Sequence, residues 1–140
     1  MVKVSIEREF EVGAEKLWAI LANFGDISWI PGIEKVELEG KGIGMVRHVT
    51  APGLPQLHER LDLIDDDRMI LDYSVPEVAF IQVKNYRARA QVFKLEGERC
   101  RLQWSCKAEP DGVTAAESTS KAEGFYEMLM TWIGDFLRKS

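Results

Sequence analysis

The sequence predicts an α+β domain in which a curved antiparallel sheet of about seven strands wraps one long C-terminal helix. Three observations carry this prediction: tight apolar–polar alternation at the start, a series of strand-length segments joined by short turns, and a final stretch with apolar residues at helical spacing. Neighbouring strands joined by short turns run antiparallel, because parallel pairing needs a crossover of about a dozen residues or more. The 140 residues read as one domain, 1–140, long enough to bury a core without a staple.

Residues 2–12 put Val4, Ile6, Arg8, Phe10 and Val12 on one side and Lys3, Ser5, Glu7, Glu9 and Glu11 on the other, a strand with one wet face. From Ala14 the spacing changes to Leu17, Trp18, Ile20, Leu21 and Phe24, a helical stripe that Gly25 ends. The string "DISWIPGIEK" predicts a second short helix after the first strand, broken at Pro31 and Gly32 because proline lacks the donor a helix interior needs. Strand segments follow over 36–39, 44–50, 57–64, 69–75, 83–95 and 101–108, with turns at Asp65-Asp66-Asp67 and around Gly97. The last segment repeats Phe125, Met128, Leu129, Trp132, Ile133, Phe136 and Leu137 at three and four, with Gly124 placed to let the helix approach the sheet. Thr114 with Glu117 and Ser120 with Glu123 are both spaced as a capping box, and either could start it. The result is a helix-grip arrangement, which tends to leave a hollow between sheet and helix.

Composition narrows the function. With 18 basic and 23 acidic residues the net charge is −5, which disfavours a nucleic-acid surface. No run approaches the roughly 18 apolar residues of a membrane span, and "VKVSIEREFEV" opens without a charged leader, so a cytoplasmic protein is expected, with no membrane insertion. Cys100 and Cys106 read as ordinary strand residues, without the partners of a zinc site. His48 and His58 fall on the outward parity and complete neither a triad nor a metal set, so no metal or cofactor is expected. "GKGIG" precedes a strand rather than a helix and reads as a turn, not a phosphate cradle.

The interior is where polar residues look out of place. In "GLPQLHERLDLIDDDR", alternation puts Glu59 on one face with Leu61 and Leu63, while Arg60, Asp62 and Ile64 point the other way. In the strand before it, Arg47 shares the inward face with Met45 and Val49. Two inward charges of opposite sign can meet as a buried pair that stays ionised and offers its spare donors to the hollow; the alternative is that both snorkel to water. Tyr73 and Tyr86 also count inward, the latter on the face of Ala88, Ala90 and Val92, and core packing explains each as well. Trp104, Phe125, Met128, Leu129 and Trp132 would either fill the hollow or line it.

The order of elements resembles the START-like, birch-pollen-allergen-like superfamily over nearly the whole chain, and within it the polyketide cyclase/dehydrase and lipid-transport group. "WAILANFGDISWIPGIEKVEL" is similar to the helix, tryptophan-containing turn and second strand of that group. "PGLPQLHERLDLIDDDRMILDYSV" followed by "KNYRA" resembles the abscisic acid receptors of plants. That likeness implies a gate at Gly53, Leu54 and Pro55 over a pocket containing Glu59, Tyr73, Tyr86, Phe125 and Leu129. The receptors' His-Arg-Leu latch is replaced near Ile81, Gln82 and Val83, and their anchoring lysine near Glu34. The resemblance therefore implies a lidded apolar pocket rather than that hormone or its phosphatase partner.

Two functions share the same hollow. One is binding or transport of a small hydrophobic ligand, such as a lipid, isoprenoid or polyketide, held by Arg47, Leu54, Pro55, Glu59, Leu61, Tyr73, Tyr86, Trp104, Phe125, Met128, Leu129 and Trp132. The other is an aromatase/cyclase in which Arg47 stabilises an enolate and Glu59 or a tyrosine moves protons. An ion-paired Glu59 would be a weak base, which favours binding. By analogy alone, a protein partner or a second copy would meet the loop at 53–55.

Overall fold

A computed structural model of the chain describes residues 1–139. The strands are β1 (Val2–Phe10), β2 (Lys35–Glu39), β3 (Val46–Thr50), β4 (Leu57–Asp65), β5 (Ile70–Val78), β6 (Val83–Lys94) and β7 (Cys100–Pro110). They form one seven-stranded antiparallel sheet in the order β1-β7-β6-β5-β4-β3-β2. Each strand from β2 to β7 pairs with its chain neighbour, as short turns require, and β1 closes on β7. Helix α1 (Ala14–Ala22) follows β1, and α2 (Ala115–Lys139) crosses the concave face. No helix among the described residues is long and apolar enough to cross a membrane.

One short helix follows β1, not two. After α1 the chain turns at Asn23, whose carbonyl accepts from Asp26 N at 2.9 Å, and again where Ile30 N reaches Ile27 O at 2.9 Å. The Asp26 carboxylate accepts the Ser28 backbone N–H at 3.0 Å. This side-chain turn competes with helical hydrogen bonding, and Pro31 prevents the helix from resuming. Ile27 and Trp29 are buried by the turns themselves.

A bulge in β4 also changes the expected alternation. Leu61 pairs with Tyr73, but Leu63 pairs with Asp72, so the register shifts between them. Leu61 is buried, Leu63 faces outward at 38% exposure, and Ile64 turns inward against the core. Leu63 thus leaves the face it was expected to share with Glu59.

Thr114 starts α2: its Oγ1 accepts the Glu117 N–H at 3.2 Å, and its carbonyl accepts Ser118 N at 3.2 Å. The fully packed side of α2 runs through Ser118, Ala122, Tyr126, Met130, Ile133 and Leu137. Gly124 is exposed with open space around it; Gly134 makes the close approach, since a Cβ there would lie 3.1 Å from Phe10 Cε1. Ser118 Oγ donates to Gln82 O at 2.7 Å, just beyond a 3-10 turn over Ala79–Ile81, and ties the helix start to the sheet. At the other end of the sheet, Trp18 Nε1 donates to Asp66 Oδ1 at 2.9 Å and fixes α1 to the β4–β5 turn.

Candidate ligand-binding cavity

Between α2 and strands β3 to β7 the packing is incomplete. A partly open cavity of about 250 Å³ remains, walled by Arg47, Val49, Glu59, Tyr73, Tyr86 and Trp104 from the sheet and by Phe125, Met128, Leu129 and Trp132 from α2. The segment between α1 and β2 contributes Ile27, Trp29, Ile30, Pro31 and Ile33, and the 3-10 turn contributes Phe80 and Ile81. Apart from Arg47 and Glu59 the wall is almost entirely aliphatic and aromatic.

The β3–β4 register sets Arg47 directly opposite Glu59. Arg47 Nε donates to Glu59 Oε1 at 2.7 Å, and Nη1 donates to the Phe24 carbonyl at 2.7 Å. The two side chains are 9% and 14% exposed, so the pair is largely desolvated and does not snorkel. Phe24 supplies a second contact, its ring lying 3.9 Å below the guanidinium carbon, with the Tyr73 ring at 5.5 Å. Arg47 Nη2 has no hydrogen-bond partner among the described residues, and Arg47 lines the cavity. A guanidinium held rigidly by three contacts with one edge unused is a hydrogen-bond donor in search of an acceptor.

Deeper in, aromatic residues make a polar seam through the core. Trp104 Nε1 donates to Tyr73 Oη at 3.1 Å, and the hydroxyls of Tyr86 and Tyr126 lie 2.5 Å apart. The rings of Tyr73 and Tyr86 are 6.1 Å apart, and those of Trp104 and Tyr126 6.0 Å. Burial pushes the hydroxyls of Tyr73, Tyr86 and Tyr126 above the ordinary tyrosine range, with the Glu59 charge adding to the effect on Tyr73. They are neutral hydrogen-bonding groups at ordinary pH, not bases.

Eleven of the twelve side chains singled out from the sequence line this cavity; Leu61 does not, being packed into the core beside Tyr73. Leu54 and Met128, each 47% exposed, stand at the opening, and Pro55 lies beside Leu54. The loop carrying them turns where Leu54 N meets Ala51 O at 3.2 Å, with Gly53 at φ +75°, a conformation that favours glycine. Two kinds of wall residue and one residue of the buried seam, Tyr126, escaped the sequence reading. The 27–33 wall was hidden by its helical reading, although Trp29, Pro31 and Gly32 are themselves a turn signal. Phe80 sits in a 3-10 turn with no periodicity to follow. Tyr126 lay one position from the Phe125 stripe but belongs to the Ala122–Met130 stripe.

The polyketide cyclase / dehydrase and lipid transport family matches this chain over residues 1–139. No curated protein matches it. Among solved structures, the protein XoxI from Bacillus cereus is 24% identical with a TM-score of 0.85, over 96% of this chain and 94% of that one. Norcoclaurine synthase from Thalictrum flavum, in complex with dopamine and hydroxybenzaldehyde, is 20% identical with a TM-score of 0.75, over 98% and 86%. Ara h 8.0201 is 18% identical with a TM-score of 0.79, over 99% and 98%. At these identities the likeness is one of fold.

Proposed function

The chain belongs to the polyketide cyclase / dehydrase and lipid transport family, and on that premise we propose that it binds one small, mostly apolar molecule whose single polar end meets Arg47 and Glu59. The supporting observation is the desolvated ion pair at the wall of an otherwise apolar cavity, with a guanidinium edge left over. Apolar contact supplies affinity and that edge supplies orientation. An acceptor such as a carbonyl, phenol or carboxylate oxygen suits it.

The volume limits size. A cavity of about 150 Å³ holds benzene, so 250 Å³ suits a body of roughly ten non-hydrogen atoms, with any remainder projecting through the opening. A ring or short isoprenoid fits this better than a whole long-chain lipid. Norcoclaurine synthase, of the same fold, holds two molecules of ring size.

Binding without chemistry is favoured over cyclisation. Glu59 is engaged by Arg47, and burial keeps the nearby tyrosines protonated at ordinary pH, so neither is free to take a proton. A protein that senses occupancy would meet the exposed rim at Leu54, a role that rests on the resemblance alone.

Native mass spectrometry of protein purified from its own host tests the reading. One retained small molecule per chain, released on denaturation, is expected. Incubation with candidate polyketones should leave their mass and absorbance unchanged; a product would establish the cyclase instead. A chain that carries nothing and takes up no apolar compound would overturn both.

A further inference from the structure

The register pair next to Arg47 and Glu59 is His48 and His58, on the opposite, outer face of the sheet. Their Nδ1 atoms converge to 2.7 Å, and His48 Nε2 lies 3.0 Å from Glu39 Oε1. A carboxylate only accepts, so His48 carries its proton on Nε2 and a neutral His48 presents a bare Nδ1. The His58 Nδ1–H then donates to it. His58 Nε2 has no partner among the described residues and His58 is exposed, so moving its proton from Nδ1 to Nε2 meets only water. That shift leaves two nitrogen lone pairs facing each other 2.7 Å apart.

We propose that His48 and His58 form an exchangeable site for a divalent transition-metal ion of the copper or nickel kind, with Glu39 orienting His48 from behind. Two nitrogens each about 2.0 Å from a metal stand about 2.8 Å apart at a right angle and about 3.3 Å apart at the tetrahedral angle. The present separation of 2.7 Å is close to the right-angle value. With the ring centroids 5.0 Å apart the two nitrogens meet head-on, so each ring must swing by roughly 45° for both to reach one ion at a right angle. Right-angle nitrogen pairs suit copper and nickel, and copper also heads the affinity series for imidazole donors. The Glu39 contact supplies the carboxylate-on-histidine arrangement that fixes ring orientation and raises ligand basicity. No group of three or more potential ligands converges among the described residues, so water completes the coordination and the ion exchanges readily. Glu37, opposite His48 on β2 and paired with Lys35 at 3.3 Å across an exposed contact, is within the same row.

The test uses Cu²⁺ and Ni²⁺ alone, titrated into the full chain by calorimetry, with electron paramagnetic resonance of the Cu²⁺ form. One equivalent bound through two imidazole nitrogens is expected, with the melting temperature raised. His58→Ala should weaken Cu²⁺ binding at least tenfold and abolish the melting shift, and Glu39→Gln should weaken it about tenfold. Circular dichroism of each variant without metal checks that the fold is intact. If His58→Ala binds Cu²⁺ as tightly as the natural chain, or if the spectrum shows the terminal amine as the ligand, the site does not exist.

Discussion

Two consecutive cross-strand pairs of β3 and β4 make an instructive contrast: Arg47 with Glu59 on the concave side, His48 with His58 on the convex side. Both belong to the same antiparallel ladder and point to its opposite sides. Inside, the pair is largely desolvated, the charges are held by each other and by Phe24, and removing one partner strands the other. Outside, His58 and Glu39 are exposed, solvent screens them, and losing a partner costs little. One pair is thus a rigid orienting device that the fold depends on, and the other is a loose pair open to a ligand from solution.

Breaking the inner pair should give the largest effect. Glu59→Ala leaves Arg47 buried with only the Phe24 carbonyl, and should destabilise the protein by about 3 kcal/mol in denaturant melts. Arg47→Leu with Glu59→Leu together should recover most of that loss while abolishing preference for a polar-ended ligand. An unchanged midpoint for Glu59→Ala would mean that the pair is not desolvated.

The tyrosine seam sharpens the same point at intermediate size. Tyr86→Phe leaves the Tyr126 hydroxyl without its 2.5 Å partner and should cost about 1–2 kcal/mol. Burial raises the folded-state ionisation of Tyr73, Tyr86 and Tyr126 above the ordinary value of 10.0, so their contribution is fully present below that pH and is lost as pH rises beyond it. Melting temperature should accordingly fall above pH 10.0 and less steeply in Tyr86→Phe; parallel slopes would contradict the burial of this hydroxyl.

The outer pair should give the smallest change. Glu39→Gln without metal should move stability by no more than about 0.5 kcal/mol. A larger loss would place the outer row in the folded core's account and erase the contrast.

Alternation made much of this readable from the sequence. The parity that aimed Arg47, Glu59, Tyr73 and Tyr86 inward holds because each lies on an unbroken stretch of alternation, Tyr86 with Ala88, Ala90 and Val92. Alternation fails one residue beyond Leu61, at the β4 bulge, and again just before Tyr86, where the β6–β7 register shifts between Lys84 and Arg87. A bulge depends on how two strands meet, which neither strand's own pattern contains. The 27–33 wall was misread because its apolar spacing suits a helix, while the Asp26–Ser28 turn that forbids one is a side-chain hydrogen bond. On α2 two adjacent stripes are apolar. The one through Tyr126 meets the sheet, and the one through Phe125 and Met128 borders the cavity; only the packing partner distinguishes them.

Paired-probe titration followed by tryptophan fluorescence reaches the central claim most directly, comparing 2-naphthol with naphthalene in the natural chain and in the Arg47→Leu, Glu59→Leu double variant. Saturable 1:1 binding is expected, with 2-naphthol about tenfold tighter in the natural chain, about the worth of one hydrogen bond to a charged donor, and the two probes equal in the variant. Absence of saturable binding, or a preference that survives removal of both charges, would contradict a greasy pocket oriented by a buried Arg47–Glu59 pair.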